Sequence, residues 1–182
     1  MGIGCGDPRC TTSIHIQFCI TPSSTIFKLT INMTPQRTLQ SGTTYRIVNA
    51  KSDTSLDVSG ANNYSLMGYP WYGGENQRWK LQQDDQGAYT IVNTASGKFV
   101  SFAGASVRQD GDPVVAVDEP TAWDIQPDKN NPSAFRYVLI ILPDTSFNID
   151  LSDHGNPAPG TPVTLWEQSE PGVNQTWFFE QV

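Results

Sequence analysis

Cys5, Cys10, His15 and Cys19 all lie in the first nineteen residues and could in principle hold a metal ion. Their spacings match no familiar zinc pattern, so no metal site is expected there. Asp150, Asp153 and His154 could form an acid–base cluster, but they read more simply as part of a polar hairpin. His154 is the sole histidine after His15, and no cysteine follows Cys19, which excludes a Cys–His pair from the rest of the chain. Paired carboxylates could cleave glycosidic bonds, yet nothing in the sequence marks one as buried with a shifted pKa. Asp110-Gly111-Asp112 lacks the further ligands of a calcium loop. Neither a catalytic residue, nor a metal, nor a cofactor is therefore expected. Tyr69-Pro70-Trp71-Tyr72-Gly73-Gly74 points instead to binding: Pro and Gly make it a loop, and exposed aromatics on loops more often bind than pack.

The composition agrees with a binding protein of all-β type. Hydrophobic residues make up 37% and charged residues 16% of 182 positions, with 15 Gly and 13 Pro. A net charge of −7 without a basic cluster argues against nucleic acid and anionic membranes, whose phosphates would be repelled. No apolar run is long enough to cross a bilayer as a helix. Residues 1–40 look unlike the rest: they carry all the cysteines and show no period. They lack a basic n-region, and Gln17 breaks their apolar stretch, so they do not read as a signal peptide. A cytoplasmic location is expected, with secretion left open. The expectation for 1–40 is a disordered extension or an over-extended gene start, with Met33 as the alternative first residue.

From Tyr45 onward the chain repeats. Tyr45-Arg46-Ile47-Val48-Asn49 answers to Tyr89-Thr90-Ile91-Val92-Asn93, 44 residues on, and Trp79 answers to Trp123 at the same offset. Leu56-Asp57-Val58-Ser59 answers to Ile149-Asp150-Leu151-Ser152, and Asn76-Gln77-Arg78-Trp79 to Asn174-Gln175-Thr176-Trp177, at the longer offsets of 93 and 98. The third copy therefore carries insertions. One domain over 41–182 is expected, with repeats of about 42–85, 86–130 and 131–182. Each repeat reads as about four short strands, near 44–49, 55–58, 65–69 and 78–82 in the first, with almost no helix anywhere. No unit of this size can bury a face alone. Packed about a pseudo-three-fold axis, the three close a barrel capped by hairpins and leave no open sheet edge.

Gln77-Arg78-Trp79 and Gln175-Thr176-Trp177, with the decayed Thr121-Ala122-Trp123, form a Gln-x-Trp pattern in register with the repeat. This resembles the ricin-B-like β-trefoil lectin family, over about 42–182. Leu56-Asp57-Val58-Ser59-Gly60 and Gly74-Glu75-Asn76-Gln77-Arg78-Trp79 are most similar to small cysteine-free mushroom lectins. Asp150-Leu151-Ser152-Asp153-His154-Gly155-Asn156 also resembles the lectin-like light subunit found with mushroom tyrosinase. The resemblance implies a β-trefoil that binds galactose- or N-acetylgalactosamine-type glycans, or mannose, without catalysis. The alternative is a trefoil without sugar binding, acting as an oxidase-associated subunit, a protease inhibitor or another protein-binding module. Partners would be glycans or glycoproteins, or else a protein partner or a second copy.

Recurrence at equivalent positions assigns Trp79, Trp123 and Trp177 to the core. The ligand residues implied by the resemblance are Asp57, Gly68, Tyr69 or Trp71, Asn76 and Gln77 in the first unit. In the third they are Asp150, Trp166, Asn174 and Gln175. The second unit has Ser101, Val117 and Pro120 in these places and is expected to bind nothing. Glycosylation sequons occur at Asn32, Asn63 and Asn174; a glycan on Asn174 would block the third-unit site, which favours a protein that is not secreted.

Overall fold

A computed structural model describes residues 39–104, 108–127 and 138–182. The expectations for the N-terminal extension, including those for Cys5, Cys10, His15, Cys19, Asn32 and Met33, concern residues outside this set. Each repeat supplies four strands. They are β1 (Thr44–Asn49), β2 (Ser55–Val58), β3 (Leu66–Tyr69) and β4 (Trp79–Gln83) in the first unit. The second supplies β5 (Tyr89–Asn93), β6 (Phe99–Phe102), β7 (Val114–Val117) and β8 (Asp124–Pro127). The third supplies β9 (Val138–Ile141), β10 (Phe147–Leu151), β11 (Thr161–Glu167) and β12 (Trp177–Gln181). Helical structure among the described residues is confined to two 3-10 turns, Glu75–Gln77 and Val173–Gln175, and the short turn α1 (Ser152–Gly155).

The first and last strand of each unit build a closed ring. β1 pairs with β4, β4 with β5, and the Tyr89↔Trp123 bridge leads on to β8. β8 pairs with β9, β9 with β12, and β12 returns to β1 in the register Tyr45↔Gln181 to Asn49↔Trp177. The middle strands form the hairpins β2–β3, β6–β7 and β10–β11, which lean on one another in a cycle through Ser65↔Val115, Pro113↔Thr164 and Thr161↔Gly68. This is the β-trefoil. Antiparallel closure satisfies every barrel strand on both sides, which is why strands of four or five residues suffice.

Strand alternation sends Ile47, Leu56, Leu81, Ile91, Val100, Ile140, Ile149 and Leu165 into one core with Trp79, Trp123 and Trp177. The three indoles are fully buried. Burial leaves each with one N–H to satisfy, and each donates it to a backbone carbonyl: Trp79 to Leu56 (2.9 Å), Trp123 to Val100 (3.0 Å) and Trp177 to Ile149 (2.9 Å). The tryptophans are therefore symmetry-equivalent pins between the last strand of a unit and its second.

Candidate functional site

Those pins fix what comes next. The residue following each carbonyl acceptor is Asp57, Ser101 or Asp150, so the three units present these side chains at equivalent points. Asp57 faces an open depression of about 400 Å³ lined by Ser59, Gly60, Met67, Tyr69, Tyr72 and Asn76 as well. β2 contributes the carboxylate, β3 contributes Met67 and Tyr69, and the 3-10 turn Glu75–Gln77 contributes Asn76. Asn76 Nδ2 donates to Asp57 Oδ1 and to the Val58 carbonyl, both at 3.1 Å. Tyr72 Oη donates to Asn76 Oδ1 at 2.7 Å, and the Tyr72 and Tyr69 rings meet edge to face at 6.0 Å. Asp57 is only 4% exposed, and its Oδ2 is buried with no hydrogen-bond partner. Burial pushes its pKa up to about 6, against the opposing effects of the Gln77, Asn76 and Tyr72 side chains.

The third unit repeats the arrangement. Asn174 Nδ2 donates to Asp150 Oδ2 (2.8 Å) and to the Leu151 carbonyl (3.3 Å). Asp150 lies opposite Thr164, and Asn148 opposite Trp166, so the alternation of β10 and β11 sets Trp166 on the face that carries Asp150. The Trp166 ring is 42% exposed. Burial raises the Asp150 pKa to about 6. Hydrogen bonds from Gln175 and Asn174 and the charge of His154 hold it down, and Asp110 adds a smaller upward push. A groove of about 360 Å³ opens beside Asn174, bordered by Lys51, His154 and Glu170.

The second unit has no carboxylate at this point. Ser101 Oγ and Thr121 Oγ1 lie 2.7 Å apart and satisfy each other, and Val115 and Val117 occupy the places of Met67 and Tyr69. The Asp153 carboxylate accepts from Asn156 Nδ2 (2.7 Å), and Asp110 Oδ1 accepts the Glu167 N–H (2.7 Å); both hold loops.

Several expected ligand residues stand behind the surface. Gln77 and Gln175 are buried, and each amide joins a backbone carbonyl to a backbone N–H. Gln77 bridges the Pro70 carbonyl and the Tyr72 N–H, and Gln175 bridges the Glu167 carbonyl and the Ser169 N–H. They brace the loops that carry the site. Gly68 is buried in β3, where a Cβ would come within 2.6 Å of Thr54 Oγ1 and 2.8 Å of Leu151 Cδ1. It allows two hairpins to approach and does not line the depression. Trp71 does not line it either. The Arg46 guanidinium sits 5.1 Å from its ring centroid, held by Ser55 Oγ (2.8 Å) and Glu180 (3.2 Å). Tyr69, the other aromatic considered, does border the depression.

Sequence reasoning includes Tyr72 in the aromatic loop without naming it a ligand residue, and does not single out Met67 and Ser59 as site residues, nor Asn49 and Asn93 as their supports. Asn93 Nδ2 donates to the carbonyl of Asn76 (3.1 Å), and Asn49 Nδ2 to that of Asn174 (2.8 Å), so each buried asparagine anchors the site turn of the preceding unit. The signal is present in the repeated Tyr-x-Ile-Val-Asn, whose final residue recurs without an evident core role.

Comparison with known proteins bears on this geometry. Residues 30–117 match the family described as ricin-type β-trefoil lectin domain-like. The ricin B-like lectin of Macrolepiota procera, solved in complex with lactose, is 38% identical and superposes with a TM-score of 0.74. The match covers 80% of this chain and 99% of that one. The chain belongs to the ricin B-like lectin family. The Rhizoctonia solani agglutinin is also similar, at 29% identity and TM-score 0.68 over 80% of this chain and 98% of that one. A designed three-fold symmetric protein, 23% identical with a TM-score of 0.66, covers 76% of this chain and is itself 99% covered; it shows the shared fold alone. Among curated proteins, none matches the sequence. Within this family, the Asp–Asn pairs of the first and third units stand at corresponding points of two repeats, and the second repeat has lost its pair.

Proposed function

We propose that this lectin-family chain binds carbohydrate without altering it, through the first-unit depression and its third-unit counterpart. The observation that carries this is the recurrence of one constellation. In both units an aspartate accepts from an asparagine amide, the same amide ties the next backbone carbonyl, and an exposed aromatic side chain stands beside the pair. An ionised carboxylate has two acceptor oxygens and suits neighbouring sugar hydroxyls, while Tyr69 or Trp166 offers a π face to the apolar C–H side of a pyranose. A hydrogen-bonded carboxylate beside an aromatic ring suits holding a sugar, and this supports the reading of binding without catalysis.

The preferred ligand is a galactose- or N-acetylgalactosamine-type sugar. The family membership supports this, as does the lactose complex of the relative 38% identical to this chain. Single shallow sites of this kind bind at roughly millimolar to micromolar strength, so two sites on one chain would gain by avidity on a multivalent glycan. A glycan array followed by calorimetry tests the reading. Asp57→Ala and Asp150→Ala are each expected to remove one site, and the double variant all binding. An array without hits, together with co-purification of a protein partner, would replace the carbohydrate reading by the protein-binding one.

A further inference from the structure

The first-unit site contains a group that its third-unit counterpart lacks. Asn76 has each atom of its amide engaged: Nδ2 with Asp57 Oδ1 and the Val58 carbonyl, Oδ1 with the Tyr72 hydroxyl. Asn174 makes the same two Nδ2 bonds, but among the described residues no donor reaches its Oδ1. The residue in the place of Tyr72 is Ser169, since both give their backbone N–H to the Gln-x-Trp glutamine. The Ser169 side chain turns to Gln175 Oε1 (3.3 Å) and away from Asn174.

Tyr72 is placed for this by its neighbours. Gly73 adopts φ +79, and a Cβ on Gly74 would overlap both the Tyr72 ring and Asn76 Oδ1. Only glycine at 74 lets the ring lie over the asparagine. The ring is still 59% exposed, so it has room to swing outward.

We infer that Tyr72 is a specificity-determining residue of the first-unit site, its hydroxyl standing where a ligand hydroxyl would donate to Asn76, so that a ligand must displace it. This rests on the carbohydrate reading above. The phenol is a built-in competitor. A sugar that offers one hydroxyl merely exchanges one hydrogen bond for another. A sugar that offers two neighbouring hydroxyls replaces the phenol at Asn76 and also supplies the partner that Asp57 Oδ2 lacks. The first site therefore demands a hydroxyl pair, whereas the third accepts ligands without displacing anything.

The test uses the full chain with Asp150→Ala, which isolates the first site, and calorimetry with lactose and with the strongest glycan-array hit. Adding Tyr72→Phe keeps the ring and removes the competitor, so affinity should rise about three- to ten-fold. The same change in an Asp57→Ala chain, where only the third site remains, should leave affinity unaltered. A bound glycan with unchanged or weaker affinity in Tyr72→Phe overturns this proposal alone. Absence of any glycan hit for the parent chain overturns the carbohydrate reading and this proposal with it.

Discussion

At Asp57 and Asp150, binding and stability pull in opposite directions. Burial raises both carboxyl groups from 3.8 to about 6, so the folded chain retains protons between these values that the unfolded chain has already lost. Stability contributed by these groups therefore falls as pH rises from about 4 to 6, by up to about 3 kcal/mol for each carboxyl, and the full cost is present at pH 7. Sugar binding through these carboxylates, as proposed, would need the ionised form and run the other way. Sugar affinity is expected to hold above about pH 6.5 and to weaken progressively below 6, which calorimetry across pH 4.5 to 7.5 would show. Asp57→Asn removes one titrating group. Relative to the parent, this variant should be more stable at pH 7.5 than at pH 4.5 by thermal unfolding, while binding sugar at least ten-fold more weakly at the first site. If the Asp57→Asn variant kept the parent's pH profile, Asp57 would not titrate in this range.

Among the elements, the short turns and hairpin contacts decide the site. The turn Glu75–Gln77 owes its position to Asn93 from the next unit, whose amide also takes the Ser96 N–H (3.1 Å). Asn93→Ala leaves the half-buried Asn76 carbonyl and Ser96 N–H without this partner. It should cost about 1–3 kcal/mol in chemical denaturation and should weaken the first site more than the third. Asn49→Ala should do the reverse, because Asn49 holds the Asn174 turn. Gly68→Ala should destabilise by about 1–3 kcal/mol through overpacking against Thr54 and Leu151, without a direct loss of ligand contacts. The strands themselves were legible: those expected near 44–49, 55–58, 65–69 and 78–82 form at 44–49, 55–58, 66–69 and 79–83. What alternation could not show is that β2, polar at Ser55 and Asp57, is buried along its whole length. Its second face is covered by the Arg46 side chain at Ser55 and by Asn76 at Asp57, contacts that a two-residue period does not report. The left-handed Asp153 and His154 likewise gave no signal, since neither residue type requires a positive φ.

For the whole molecule, ring closure between β1 and β12 makes the three units interdependent. The second unit has lost the aspartate and keeps the tryptophan, with Phe102 edge-on to it at 6.4 Å. Trp123→Ala should therefore destabilise the protein by about 3–5 kcal/mol, as a large buried side chain lost from a shared core. Unfolding followed by tryptophan fluorescence and circular dichroism should remain a single transition, shifted for all units together. Where the variant stays folded, both sugar sites should keep their affinity. Separate transitions for the three units would show that the core is not shared.

The sequence by itself determined the three-fold repeat, the all-β class and the buried tryptophans; the family resemblance it carries named Asp57, Asn76, Asp150 and Asn174, and the structure pairs them. Repetition is a property of spacing, and a symmetric barrel demands the same apolar residue at the same place in each turn of the chain. The tertiary structure alone decided which aromatic borders the first site, that Gln77 and Gln175 brace loops from behind, and that Tyr72 closes on Asn76. Tyr69, Trp71 and Tyr72 are near neighbours in one glycine-rich loop, and spacing cannot say where each ring points. The Arg46 guanidinium, more than twenty residues away in the chain, holds Trp71 off the depression. The missing Cβ of Gly74 leaves room for Tyr72 to close on Asn76. Such choices come from contacts between distant segments, and they exist only once the barrel has closed.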